Sequence, residues 1–382
     1  MSERKIQAWL AAGVIDADTA SRIRAWDAQH SRPLALWAVI GIGALAIGLG
    51  VISLVAANWD AVPGLVRLAV HFAVMAALGG FIAWRGEELE RANPWGLEAA
   101  LFVLGMLGLA FFGHLGQVYQ TSSPLWQPLA AWLALFAPLL LLRGQSWLTA
   151  ALLFVTVGYA VWDYAAAADA SVFGNAGNAP WLAARIAVVT ALPVLFAPLA
   201  AWMRGRSGRE DFWKRLEQLA LAYAVGGASL IAIAAGLDRF EGGILGGLAQ
   251  AIRAGLALLA GALIAWARPG ASGRAAGAVM AGAGAACVLA WVMSGSQLGG
   301  GLLFMALWVG IAAAALHAGW RSVFQLAVAA VALRLIVLSF ELGSDLLTSG
   351  FGLIIAGVLI LAIAFAAVRV SRTFAPPREG EA

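Results

Sequence analysis

Long runs of apolar residues recur along the chain, and the short segments between them hold most of its charges. Within each run the apolar residues cover every side of the helix rather than one stripe, which is the pattern of a helix surrounded by lipid. A hydrocarbon core of roughly 30 Å takes about 20 such residues per helical crossing, because the helix alone satisfies every backbone N–H and C=O inside the segment. Counting runs of that length predicts an all-α polytopic bundle of about twelve crossings. They fall near 34–57, 64–84, 96–113, 126–142, 147–164, 181–203, 217–237, 244–267, 275–294, 299–318, 322–340 and 350–370. The closest-set pair meets at Gln145, joined only by Arg143-Gly-Gln-Ser. The organisation that follows is an N-terminal helical hairpin (1–32), six crossings (33–203), a basic loop (204–216), six more crossings (217–370) and a tail (371–382).

Charge placement tests that count, since short cytoplasmic loops retain Lys and Arg while translocated loops do not. Every second connection carries them: Arg4, Lys5, Arg22, Arg24 and Arg32; Arg85 and Arg91; Arg143; Arg204, Arg206, Arg209, Lys214 and Arg215; Arg268 and Arg274; Arg321; then Arg369, Arg372 and Arg378. The intervening connections carry only Arg239. The expected arrangement therefore has both termini in the cytoplasm. Many tryptophans, among them Trp37, Trp84, Trp126, Trp147, Trp181 and Trp266, fall at the ends of the proposed helices, the depth that indoles prefer.

Composition agrees with a lipid solvent. The chain of 382 residues is 62% apolar and 12% charged, with a mean hydropathy of +0.87, whereas soluble domains hold about 25% charged residues. The net charge of +4 is explained by topology and by attraction to anionic lipid, and no loop is large enough for a nucleic-acid surface. Cys287 is the single cysteine, so neither an internal disulfide nor a cysteine-based metal site is expected. No cleavable signal peptide is visible, because the first long apolar stretch begins at Leu34 and runs on too far; it reads as a retained anchor.

Ahead of that anchor, Ile6, Trp9 and Leu10 share one helix face, Gly13 offers a left-handed stop, and Asp16 or Asp18 can cap a second helix through Ile23 and Trp26. Inside the crossings, small residues recur at helical spacing: Gly41, Ala44 and Gly48; Gly242 with Gly246 and Gly243 with Gly247; Gly277, Ala281 and Ala285. Such positions let helices approach closely in lipid.

The Trp9-to-Ala20 stretch with its Gly-Val-Ile-Asp, the sequence Ala57-Asn58-Trp59-Asp60 closing a glycine-rich first crossing, and Gly116-Gln117-Val118-Tyr119-Gln120 followed by Trp126 form a recognisable set. In these the chain resembles the bacterial predicted membrane proteins of domain of unknown function 2157, and Arg334 to Arg369 is similar to their closing helix pair. The family carries no established activity. The resemblance implies residence in the bacterial cytoplasmic (inner) membrane and no particular chemistry.

Candidate chemistry lies where ionisable or amide groups sit at membrane depth, since a charge at a helix centre costs about 2.5–3.5 kcal/mol on insertion scales. One grouping gathers at the ends of the first crossings: Asn58, Trp59 and Asp60, then Arg67 and His71 one turn apart, then His114, Gln117, Tyr119 and Gln120. It reads as a polar pocket, or as an Asp60–Arg67 pair with amide caps. A second comprises Gln250 and Arg253 one turn apart, with Arg334 and Glu341 two turns apart; it reads as an anion site, or as structural pairing. No Walker loop, His-Glu-x-x-His or Gly-x-Ser-x-Gly motif is present, and the four histidines are scattered, so no catalytic residue, cofactor or metal is expected. The functional classes left are a transporter or flippase of a small or lipid-like substrate, a scaffold or sensor organising envelope proteins, and an intramembrane lipid-modifying enzyme or hydrolase. The expected partners are membrane lipids, a small-molecule substrate or an envelope protein, and not nucleic acid.

Overall fold

A computed structural model describes residues 3–30, 62–170, 180–236, 245–342 and 350–374, together with Ala46 and Pro376. The chain divides into two compact units, Met1–Arg67 and Leu68–Ala382.

In the first unit, α1 (Glu3–Ala11) and α2 (Ala17–His30) form the expected hairpin. Gly13 takes φ +68°. The Val14 N–H donates to the Trp9 carbonyl at 2.9 Å and the Gly13 N–H to the Leu10 carbonyl at 3.1 Å, which is the paired bonding that stops a helix at a left-handed glycine. Asp16 is the cap of α2: its Oδ1 accepts from the Thr19 N–H at 2.7 Å. The side-chain and backbone bonds from Thr19 hold the Asp16 carboxyl below its ordinary value. Ile6 and Ala20 are buried, while Trp9 is only partly covered.

The second unit is a bundle of α3 (Gly64–Ala92, which begins in the first unit), α4 (Pro94–Tyr119), α5 (Trp126–Arg143), α6 (Trp147–Ala170), α7 (Pro180–Ala191), a short 3-10 helix (Leu192–Leu195), α8 (Phe196–Arg204), α9 (Glu210–Gly236), α10 (Gly247–Ala267), α11 (Ala271–Val292), α12 (Gln297–Ala318), α13 (Arg321–Leu342) and α14 (Gly350–Phe374). With α7, the 3-10 helix and α8 counted as one crossing, eleven helices among the described residues are long and apolar enough to span a membrane. The protein is a polytopic membrane protein. The eleven correspond to the second through twelfth predicted runs; the first, 34–57, lies outside the described residues apart from Ala46, as do Gly41, Ala44, Gly48, Gly242 and Gly243.

Several helices run past the apolar limits. α3 continues to Ala92 because Arg85–Glu88 and Arg91–Glu87 pair one turn apart along its exposed end. α9 starts at Glu210 rather than 217, with Glu210 and Asp211 in its first turn, where the helix dipole favours acids. Asn93 caps α4 ahead of Pro94 through Oδ1 and the Gly96 N–H at 3.1 Å. The joint at Arg143-Gly-Gln-Ser does separate two helices.

Packing rests on small residues. α10 and α11 form the most extensive pair, and a Cβ added to Gly261 would stand 2.6 Å from the Gly277 carbonyl oxygen. Gly300 of α12 is equally tight against α9, 2.6 Å from the Ala232 oxygen. Lipid offers helices no hydrophobic reason to associate, so close backbone approach and dispersion supply the attraction. Larger side chains intrude where glycine leaves room: Trp132 of α5 donates its indole N–H to the Gly105 carbonyl of α4 at 2.9 Å and stacks on Phe136.

Candidate functional site

The crossing built from α7 and α8 is interrupted at Pro193. Proline has no N–H for the carbonyl four residues back, and its ring crowds that turn, so the helix tightens into the 3-10 segment there. Beside the interruption, the Tyr223 hydroxyl of α9 donates to the Thr190 carbonyl at 2.6 Å. The Thr190 hydroxyl donates back to the Ile186 carbonyl at 2.8 Å.

A cavity of about 490 Å³ opens next to this break, between α6, α7, the 3-10 helix, α9, α10 and α11. Its walls are apolar: Ile186, Val194, Leu230, Ile231, alanines and the bare backbone of Gly226 and Gly227. Four polar groups join them, Trp162, Thr190, Tyr223 and Cys287, with one ion, Arg253. No carboxylate lines the cavity among the described residues. The cavity runs from Tyr223, halfway along α9, and Thr190 towards the end where α6 finishes and α10 begins.

Arg253 thus sits at the cavity wall, half-buried. Gln250, one turn earlier, faces elsewhere: it is fully buried and its Nε2 donates to the Leu245 carbonyl at 3.2 Å. Arg334 has a different fate. It is 7% exposed and makes a forked contact with Glu341 on its own helix α13, Nη1 to Oε1 at 2.9 Å and Nη2 to Oε2 at 3.0 Å. Gly301 of α12 provides the room, since a Cβ there would lie 3.3 Å from Arg334 Nη2. The two deep arginines therefore occupy separate places.

Of the other grouping, the structure brings His71 and His114 together, with ring centroids 5.8 Å apart. His71 Nε2, taken as the protonated nitrogen, donates to the Leu107 carbonyl at 3.0 Å, and its ring meets the edge of Phe111. Gln117, Tyr119 and Gln120 are exposed where α4 ends, Gln120 in a left-handed conformation at φ 50°. Arg67 is half-buried in the first turn of α3. Asn58, Trp59 and Asp60 lie outside the described residues.

Two buried carboxylates were not apparent from the sequence. Glu217 of α9, 2% exposed, takes Arg204 Nη1 at 3.0 Å on one oxygen and Arg268 on the other. This triad ties α8, α9 and the end of α10 together at the basic-loop end. Glu98 of α4, 1% exposed, accepts the Thr149 N–H at 2.8 Å and hydroxyl at 2.9 Å, the Ser146 hydroxyl at 2.9 Å and the Gln145 N–H at 2.9 Å, so a carboxylate from another helix caps α6. The available signal was that each acid lies at the edge of an apolar run within reach of basic or hydroxyl-rich connections. Nearby, Arg209 donates to the Gly144 carbonyl at 3.1 Å; desolvation lowers its pKa, partly offset by Glu90. Arg185, also in a crossing, is held over the rings of Trp181 and Tyr164 at 5.3 and 5.7 Å.

No three His, Cys, Asp or Glu side chains gather to hold a metal ion among the described residues. Residues 7–149 match the family described as Predicted membrane protein (DUF2157). Over that stretch the chain is similar to those proteins, and the cavity-lining residues, from Trp162 to Cys287, all lie beyond it. No curated protein and no solved structure matches the chain.

Proposed function

We propose that this protein is a transporter or flippase of the bacterial cytoplasmic membrane, with both termini inside, that carries a small or lipid-like substrate through the cavity beside Pro193. The observation that carries this reading is a cavity of about 490 Å³ holding an arginine at membrane depth next to an interrupted helix. Packing alone gives no reason to keep a cation on the wall of an apolar cavity in lipid, where a charge is expensive. Carriers place substrate sites beside irregular helix segments because such segments offer backbone groups to the substrate. Glu217 lies six residues from Tyr223, about 9 Å along α9, so the Arg204–Glu217–Arg268 triad closes the basic end and has to part for substrate to leave inward.

Cys287 makes the test direct, because it lines the cavity and is the single cysteine of the chain. In oriented membrane vesicles an impermeant maleimide should label it from the outer face and, in a smaller fraction, from the inner face. No labelling from either face, with a permeant maleimide as control, would refute the carrier reading. Support for a scaffold or sensor comes from the capped α1–α2 hairpin, which such a protein would use to hold an envelope partner; deletion of residues 1–30 should then abolish function while Cys287 labelling is unchanged.

A further inference from the structure

Resting on that reading of the same cavity, we propose that the substrate is an amphiphile: an oxyanion head on an apolar tail, with the head held by Arg253. Charge complementarity sets the head. Arg253 is the one charged side chain lining the cavity among the described residues, with no Asp or Glu to receive a cation or the ammonium of a zwitterion. A guanidinium offers a planar fork of donors that fits carboxylate or phosphate oxygens. The Tyr223 hydroxyl cannot compete for the role, since its proton is committed to the Thr190 carbonyl.

The walls and the volume set the tail. Ile186, Val194, Leu230 and Ile231 present nothing a bare inorganic anion could use. At roughly 30 Å³ per water-sized group, 490 Å³ holds on the order of 16 groups, room for an acyl chain beside its head. Gly226 and Gly227 keep the tail's space open: both line the cavity, and a Cβ built on either meets nothing within 4 Å.

The experiment reads alkylation of Cys287 by a permeant maleimide in the full-length protein, reconstituted in nanodiscs of a zwitterionic diacyl lipid. The probes are laurate, dodecyl phosphate, dodecanol and inorganic phosphate. Laurate or dodecyl phosphate should protect Cys287 at a concentration at least about tenfold below dodecanol, the factor expected for a charge-assisted hydrogen bond. Protection by one anion and not the other would identify the head and supports the proposal. Arg253→Gln should erase the difference between laurate and dodecanol, Arg253→Lys should keep part of it, and Gly227→Leu, which fills the space without touching the arginine, should abolish protection by every chain. Equal protection by laurate and dodecanol in the unaltered protein would overturn the anionic head and leave the carrier reading standing. Protection by inorganic phosphate as strong as by dodecyl phosphate would overturn the tail. A Cys287 that stays unreactive with no probe present would mean a closed cavity, and both conclusions would fall together.

Discussion

Neutralising Glu341 should damage this protein more than neutralising the arginine it pairs with. The Arg334 side chain is 8% exposed and that of Glu341 is 33% exposed, with the forked contact at 2.9 and 3.0 Å. At an effective dielectric constant near 20, two unit charges about 4 Å apart attract by about 4 kcal/mol. Glu341→Gln removes that attraction and leaves a guanidinium in a place water hardly reaches, a position made worse because Arg334 Nε is already buried without a hydrogen-bond partner. The expected loss is about 3 kcal/mol, at the low end of the range for breaking a buried pair. Arg334→Gln strands only a carboxylate that solvent partly reaches, so about 1–2 kcal/mol is expected after screening. The double substitution removes both charges, so with a coupling of about 2 kcal/mol its loss should fall short of the summed single losses, at about 2–3 kcal/mol. Unfolding of the purified single and double variants in mixed micelles, followed by tryptophan fluorescence, measures all three. A double variant whose loss equals the sum of the singles would refute the pairing argument, and normal stability in both singles would do so as well.

Glu217→Gln leaves Arg204 and Arg268 facing each other without their shared acid; a loss of about 3–5 kcal/mol is expected, visible as reduced abundance, and unchanged thermal stability would contradict the triad. Gly277→Val forces a side chain against the Gly261 carbonyl, 2.5 Å from the position of the added Cβ, so α10 and α11 should separate at a cost of at least 1–3 kcal/mol, whereas the same change at Gly255, where a Cβ meets nothing, should be mild. In the hairpin, the Asp16 carboxyl is held below its ordinary 3.8, so its contribution to stability is present above that value and is lost as pH falls through the lower folded value. Hydrogen exchange at the Thr19 amide should lose protection in acid, and Asp16→Ala should remove that pH dependence; an acid response that survives the substitution would rule the cap out as its source.

The sequence by itself determined what depends on one dimension. Chain length in hydrocarbon, the distribution of Arg between alternate connections and the local rules for stopping a helix predicted every described crossing, the joint after Arg143 and the Gly13–Asp16 turn, because lipid makes each helix satisfy its own backbone. Burial was less legible. Glu98 and Glu217 stood at the edges of apolar runs, where an acid reads as solvent-facing, and only the approach of α6 to one, and of Arg204 and Arg268 to the other, turns each into a buried acceptor. Arg253 and Arg334 were alike in sequence, two arginines in apolar helices. Spacing on α13 already suggested that Arg334 could reach Glu341, a contact within one helix. Whether Arg253 faced a neighbour, lipid or an open space depended on how α6, α7, α9, α10 and α11 meet, and on Pro193 interrupting the crossing beside them. A cavity belongs to no single helix, so no periodicity along the chain encodes it; it exists only where several packed surfaces fail to close.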